Sequence, residues 1–246
     1  MPVTPVILLV IAVAIVLAGL RRGAGPTVWI TQAVNGERPT RPHVAIGWAI
    51  GIAVAYGAST LIALALIGRI EALTVLPREL VPAALSLGLT GAMTRDGLIE
   101  TVAAIGGGMA IGALFVAVAA RRGWRAIGPR YRSPAMVQRP EEIAAAMLLA
   151  AAAGIAEEAF YRLLVPLLGT LVFGSGTVGC VLGWALFTLA HRYQGRGGMI
   201  AVALVGAVLT WLYLATGQLW LVMAVHCLVD ANALVLRPWL ERRQRW

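Results

Sequence analysis

Runs of about 20 apolar residues recur along the chain, and this feature limits the possible folds more than any other. A helix of that length spans the hydrocarbon core of a bilayer, where only helices and closed barrels satisfy their own backbone hydrogen bonds. The runs are continuous instead of alternating, which favours helices. Because 60% of the 246 residues are hydrophobic and only 13% are charged, we predict an all-α fold, a polytopic transmembrane helical bundle.

The apolar runs predict about seven spans. They are expected at 3–20, 43–68, 98–120, 143–171, 177–191, 198–216 and 218–236. An eighth span arises if 76–97 also crosses, but the prolines, flanking charges and short apolar centre of this segment suit an interfacial or re-entrant element. Arg21 and Arg22 follow the first span and no basic residue precedes it, the reverse of a signal peptide, so we expect an uncleaved helix.

The basic residues indicate how the chain sits in the membrane. All 20 of them are arginines, the net charge is +9, and they cluster at 21–22, at 121–132 and in the tail 237–246. Their alternation between successive loops predicts an outside N-terminus and a cytoplasmic C-terminus. Clusters between apolar runs fit contacts with lipid headgroups better than a groove for nucleic acid. We therefore expect the lipid bilayer as a partner and no nucleic acid.

Six ionisable side chains lie inside the apolar runs of the second half of the chain. They are Glu157, Glu158, Arg162, His191, His226 and Asp230. A charged side chain at the bilayer centre costs about 2.5–3.5 kcal/mol on insertion scales, so such residues are expected to pair with one another. An ionisable residue within a span is a functional hypothesis by default.

Helical spacing predicts the first pair. Glu158 and Arg162 are separated by four residues with the acid on the N-terminal side, an arrangement that favours an ion pair on one helix face. Glu157 points about 100° away around the helix and must face another segment. We predict that Arg162 neutralises Glu158 and that Glu157 remains available for chemistry.

The two later spans carry the same spacing. Phe187 and His191 share one helix face, as do His226 and Asp230. Three helices can therefore bring Glu157, His191, His226 and Asp230 together, with Phe187 packed beside them. Both cysteines, Cys180 and Cys227, lie in apolar runs and are expected to be packing residues.

Such a cluster suits hydrolysis inside the membrane. A carboxylate in apolar surroundings is an effective proton acceptor near neutral pH, and beside an imidazole it can deprotonate a water. Glu157 and His191 fit this role, while His226 and Asp230 fit stabilisation of an oxyanion if Asp230 is protonated or only orients the histidine. The competing interpretation is a zinc site with Glu157, His191 and His226 as ligands, although no compact ligand motif is present.

The motifs EExxxR at Glu157–Arg162, FxxxH at Phe187–His191 and HxxxD at His226–Asp230 together resemble those of the CPBP family. This family comprises the CAAX-processing and bacteriocin-immunity (Abi) intramembrane proteases. The resemblance covers about 141–236. It implies a helical bundle whose cavity opens toward the cytosol, and a metal-independent glutamic endopeptidase without a cofactor. The family's roles imply that Glu157 and His191 activate water and that His226 and Asp230 form the oxyanion site.

The resemblance also divides the chain. We predict N-terminal transmembrane helices and a cytoplasmic basic loop over 1–140, a catalytic core over 141–236 and a basic cytoplasmic tail over 237–246. Eukaryotic CAAX endopeptidases typically carry asparagine where Asp230 stands. Because an ionised aspartate cannot donate a hydrogen bond to an oxyanion, Asp230 must either be protonated or only orient His226.

The predicted activity is cleavage of a membrane-associated protein or peptide. A lysine-free chain rich in Ala, Gly and Arg is typical of a GC-rich bacterial genome, which favours the bacterial cytoplasmic membrane and a peptide, pheromone or bacteriocin precursor as substrate. Two alternatives stay open: a non-catalytic immunity or assembly partner, and a proton-coupled transporter that uses the same carboxylates as a relay. The oligomeric state is left open by the sequence.

Overall fold

The computed structural model describes residues 3–22, 40–89, 94–122 and 133–242, which form eight helices and no strands within these ranges. The helices are α1 Val3–Arg22, α2 Arg41–Leu66, α3 Val81–Ser86, α4 Arg95–Arg121, α5 Pro140–Phe173, α6 Gly176–Ala190, α7 Gly195–Thr216 and α8 Leu219–Trp239. The predicted all-α membrane bundle is therefore confirmed. Most of the basic loop at 121–132 and the end of the tail lie outside the described residues.

Five of the described helices, α1, α2, α5, α7 and α8, are long and apolar enough to cross a membrane. Helix α4 covers the predicted span at 98–120 but is not among these five, and α6 is apolar but has only 15 residues. The chain is therefore an integral membrane protein, while the predicted count of seven or eight spans stays unconfirmed.

The segment 76–97, predicted to be interfacial or re-entrant, contains α3 in its described part. This helix has six residues, which rise only about 9 Å against about 30 Å of hydrocarbon. Leu80, Ala83 and Ala84 are buried in the main core, so the segment packs into the bundle. Residues 90–93 lie outside the described part of the chain.

Helix α5 is the centre of the bundle. Its 34 residues extend about 50 Å, and α2 and α8 pack on its first half while α1 and α6 pack on its second half. The first half is rich in alanine, whose small side chain lets neighbouring helices approach closely. The second half buries larger side chains, namely Leu163, Leu164, Leu167 and Leu168. Two core clusters therefore lie along one helix, and the glutamate pair stands between them.

Three of the long helices contain a wider π-helical turn. These turns are Ala53–Ala58 in α2, Ala159–Leu164 in α5 and Asn232–Leu236 in α8. A π turn adds a residue to the helical repeat and changes the direction of the side chains that follow it; such turns occur frequently at functional sites. The turns of α2 and α5 contact each other directly, next to the glutamate pair.

Glycines allow α6 to lie against α5. A Cβ atom at Gly183 would lie 2.3 Å from the carbonyl oxygen of Tyr161, and one at Gly179 would lie 2.3 Å from that of Pro166. This is the close approach that small residues four apart predict in membranes. The same spacing at Gly108 and Gly112 has no such contact, because a Cβ there meets no described atom within 4 Å.

A further glycine sets the distance between α5 and α8. A Cβ atom at Gly154 would lie 2.4 Å from Sγ of Cys227 and 2.7 Å from its backbone nitrogen. The Cys227 thiol also points at the carbonyl oxygen of Ala151, 3.8 Å away. Cys180 is buried in the main core. Both cysteines thus lie at packing positions, and α8 can approach α5 only because residue 154 lacks a side chain.

Replacement of this glycine should loosen the α5–α8 contact. We expect Gly154→Ala to lower the free energy of unfolding by about 1–3 kcal/mol, because the added methyl group meets backbone atoms that cannot move aside. Thermal unfolding in detergent, followed by tryptophan fluorescence, measures the change. Gly19→Ala is the control, since a Cβ at Gly19 meets nothing within 4 Å. Equal melting temperatures for the two variants would contradict the packing argument.

Candidate active site

The two adjacent glutamates lie near the middle of α5 and are both buried. Glu158 is 0% exposed and Glu157 is 7% exposed. They are the last two residues before the π turn Ala159–Leu164. Neighbouring residues of a helix point about 100° apart, so the two carboxylates face different partners.

Glu158 pairs with Arg162 as the spacing predicts. Oε1 of Glu158 lies 3.1 Å from Nη1 of Arg162, and both side chains are fully buried. The Arg162 guanidinium also stands over the ring of Phe187 from α6, 4.0 Å from its centroid. The aromatic face favours the cation, so Arg162 is stabilised by a carboxylate on its own helix and by a ring on the next.

His226 of α8 makes a contact that helical spacing did not predict. Its Nδ1 atom lies 2.5 Å from Oε1 of Glu158, the same oxygen that faces Arg162. The imidazole is 4% exposed. Glu158 therefore joins two groups from two helices: Arg162 of its own helix, as the spacing predicts, and His226 of α8.

Asp230 lies on the other side of His226. Its Oδ2 atom is 3.7 Å from Nε2 of His226, one helical turn away on α8. The Asp230 side chain is 30% exposed, more than any other member of the cluster. Glu158, His226 and Asp230 thus form a line from the buried interior toward the open side of the site.

His191 faces Glu157. Its Nε2 atom lies 3.9 Å from Oε2 of Glu157, while its Nδ1 atom is 2.8 Å from the carbonyl oxygen of Phe187. Because a carbonyl only accepts hydrogen bonds, Nδ1 carries the proton that is donated, and a neutral imidazole then turns the lone pair of Nε2 toward Glu157. The two facing atoms are near enough to bind one water together.

The end of α6 places His191 beside Glu157. Helix α6 runs antiparallel to α5, ends at Ala190, and is followed by the turn Arg192–Gln194. Gly195 then adopts φ of 74°, a conformation that favours glycine, and α7 begins. His191 is thus the residue at which α6 ends, and the turn after it leads the chain away from Glu157 into α7.

Phe187 packs among the site residues, as expected. Its ring centroid is 4.6 Å from that of His191, 6.0 Å from that of His226 and 5.4 Å from that of Tyr161. The ring is 2% exposed. It therefore packs against both histidines.

Two tyrosines that the sequence did not point to lie beside the site. Tyr161 follows Glu157 by four residues, so same-face spacing was a signal for it. Tyr56 belongs to α2, and its ring centroid is 5.2 Å from that of Tyr161. Since Tyr56 comes from a distant part of the chain, only the fold places it here.

The structure also bears on the zinc interpretation. Within the described residues, no group of three or more His, Cys, Asp or Glu side chains is arranged to hold a metal ion. His226, one of the three residues in that interpretation, directs its two ring nitrogens at Glu158 and Asp230. The set Glu157, His191 and His226 therefore does not form a joint ligand cluster here.

The arrangement combines the groups that acid–base hydrolysis requires. A carboxylate and an imidazole face each other, a second imidazole lies between two carboxylates, and a buried arginine balances part of their charge. Proton transfer by positioned side chains and stabilisation of developing negative charge are both chemically accessible to this set.

Comparison with known proteins gives one finding. Residues 139–232 match the family model described as type II CAAX prenyl endopeptidase Rce1-like. No curated protein and no solved structure matches the chain. The matched segment contains all six residues of the cluster. The predicted resemblance to the CPBP family is thus confirmed for residues 139–232, which match the Rce1-like CAAX prenyl endopeptidase model.

Proposed function

We propose that the protein is an intramembrane endopeptidase that hydrolyses a peptide bond in a membrane-associated protein or peptide. The observation that carries the proposal is the facing pair of Glu157 and His191, buried inside the Rce1-like domain. Of the two α5 glutamates, Glu158 forms the ion pairs with Arg162 and His226, and Glu157 forms neither among the described residues. It is therefore the available base.

Glu157 and His191 would act on one water. The water donates a hydrogen bond to Nε2 of His191 and its second proton to Glu157 as its oxygen attacks the scissile carbonyl carbon. The resulting tetrahedral intermediate collapses when the carbon–nitrogen bond breaks. Glu157 then returns the proton to the leaving amine, so the site regains its starting charge.

His226 would bind the oxyanion of that intermediate. Charge balance supports this role: Arg162 compensates Glu158, and an imidazolium at His226 compensates Asp230, which leaves Glu157 as the one unbalanced carboxylate. Nε2 of His226 would then carry a proton that faces Asp230 across 3.7 Å, a distance at which the carboxylate orients the ring by its charge while an oxyanion can still accept the proton. In this proposal Asp230 needs only to orient the histidine.

The substrate class follows from the family and the setting. The family's name refers to prenylated CAAX termini, while the composition of this chain favours a bacterial membrane peptide or bacteriocin precursor. We propose a peptide held at the cytoplasmic face of the bacterial membrane, with the C-terminus of the enzyme in the cytoplasm as the arginine distribution indicates. We assign catalysis to the core at 141–236 and propose that the reaction uses no metal.

Removal of the proposed base should abolish cleavage. We expect Glu157→Gln to lower kcat by about 10²–10⁴-fold, because the amide cannot accept the proton of the attacking water. The assay uses purified protein in detergent with a library of quenched fluorescent membrane peptides, including CAAX-terminated peptides with and without a farnesyl group.

The control for this assay is Glu71→Gln, which makes the same replacement at an exposed ion pair outside the cluster. Melting temperatures and metal content are measured on every sample. Cleavage that survives in folded Glu157→Gln would overturn the proposed mechanism. Activity that is lost when stoichiometric zinc is removed would instead favour a metalloprotease.

The two residues assigned to the oxyanion site should differ in their effects. We expect His226→Ala to lower kcat by about 10²–10³-fold, because it removes the proposed donor. Asp230→Asn should retain activity within about tenfold, since an amide oxygen can still orient the imidazole. Initial rates at saturating peptide measure both. If Asp230→Asn were as inactive as His226→Ala, Asp230 would have a role beyond orientation.

Loss of the buried arginine should destabilise the fold. We expect Arg162→Met to lower the free energy of unfolding by about 3–5 kcal/mol, because Glu158 then remains charged and without its cation in an apolar interior. Arg78→Met is the control, since Arg78 is 84% exposed and 3.5 Å from Glu79, a surface pair worth about 1 kcal/mol or less. Unfolding in detergent with increasing denaturant compares the two. Equal losses would show that the buried pair is not a stabilising element.

A further inference from the structure

Tyr56 lies on α2, outside the residues that the family model matches, yet its ring contacts the helix face that carries the proposed base. Its ring centroid is 4.8 Å from that of Phe160 and 5.2 Å from that of Tyr161. These two residues follow Glu157 by three and four positions, the spacings that share one helix face. Tyr56 therefore stands on the same side of α5 as Glu157.

The depth of Tyr56 in the bundle also matches that of the base. A Cβ atom added at Gly57 would lie 3.4 Å from Cβ of Ala156, so the residues just after Tyr56 and just before Glu157 are in contact. The π turns Ala53–Ala58 and Ala159–Leu164 meet at the same place. The tight approach of α2 to α5 thus places a phenol beside the glutamate.

Buried polar atoms around Tyr56 and Glu157 have unused hydrogen-bonding capacity. Among the described residues, the buried Oε2 atom of Glu157 and the buried hydroxyl of Tyr161 have no hydrogen-bond partner. The Tyr56 and Tyr161 hydroxyls lie near each other and near the Glu157 carboxylate. A buried polar group without a partner is costly, so small side-chain rotations that join these groups are favoured.

We infer that Tyr56 is a positioning residue for Glu157, whose hydroxyl donates a hydrogen bond to the Glu157 carboxylate and holds it toward His191. The Tyr161 hydroxyl donates in turn to the oxygen of Tyr56. The catalytic consequence rests on the proposed function, whereas the hydrogen bond itself does not. The N-terminal half of the chain therefore contributes directly to the site.

Removal of the hydroxyl alone separates this role from packing. We expect Tyr56→Phe to lower kcat by about tenfold and to leave KM within about twofold, because the ring still fills its space while the base loses its positioning bond. The acidic limb of the pH–activity profile should move to higher pH, since a donor to a carboxylate favours its ionised form. The peptide cleaved best by the wild type serves as substrate.

Tyr213→Phe is the matched control. Tyr213 is buried in α7, 1% exposed, and its hydroxyl has no partner among the described residues, but it lies next to Cys180 and away from the glutamates. This variant should keep the kcat and the pH profile of the wild type. Equal kinetic effects of the two replacements would overturn the inference, because any buried hydroxyl would then produce them.

A spectroscopic readout tests the hydrogen bond without activity. Infrared difference spectra identify the Glu157 carboxyl band as the one that Glu157→Gln removes, and this band should shift in Tyr56→Phe and not in Tyr213→Phe. An unshifted band overturns the inference whatever the kinetics. A shifted band in a protein that cleaves no peptide upholds the hydrogen bond and counts against the proposed function alone.

Discussion

The ion pair between Glu158 and Arg162 is the interaction on which the rest of the site depends. A carboxylate and a guanidinium that are both withdrawn from water lose several kcal/mol of hydration each, and only a close partner returns that energy. Here the carboxylate is 3.1 Å from the cation and shares the same oxygen with His226. With Glu158 compensated in this way, the helix can carry a second carboxylate, Glu157, and leave it free for chemistry.

The contact between Oε1 of Glu158 and His226 also depends on how closely two helices pack. Glu158 belongs to α5 and His226 to α8, so their contact requires two helices to lie very close together. Gly154 and Cys227 provide this closeness, since even a methyl group at Gly154 would collide with the backbone of α8. Small residues in the membrane therefore do more than allow dense packing. They set the distance at which buried polar groups from different helices can meet.

Helical periodicity explains which parts of the site were predictable. Residues four apart share a helix face, so the pairing of Glu158 with Arg162 and the neighbourhood of His226 and Asp230 followed from spacing alone. The contact of Glu158 with His226 did not, because periodicity within a helix carries no information about which face of another helix lies opposite. Tyr56 illustrates the same limit: nothing in the residues around it marks it as a neighbour of Glu157.

The sequence by itself determined the membrane setting, the helical class and the set of six ionisable residues, because hydrocarbon excludes other backbone structures and penalises unpaired charge. The segment 76–97 could not be assigned from composition, since its apolar centre is intermediate in length, and the described part shows the short helix Val81–Ser86 packed into the core. Only the tertiary structure decided which oxygen faces which nitrogen. Those distances depend on where α6 stops, where π turns redirect side chains and how closely glycines let the helices approach. The close approach and the facing side chains are properties of pairs of helices, which the sequence of a single segment does not reveal.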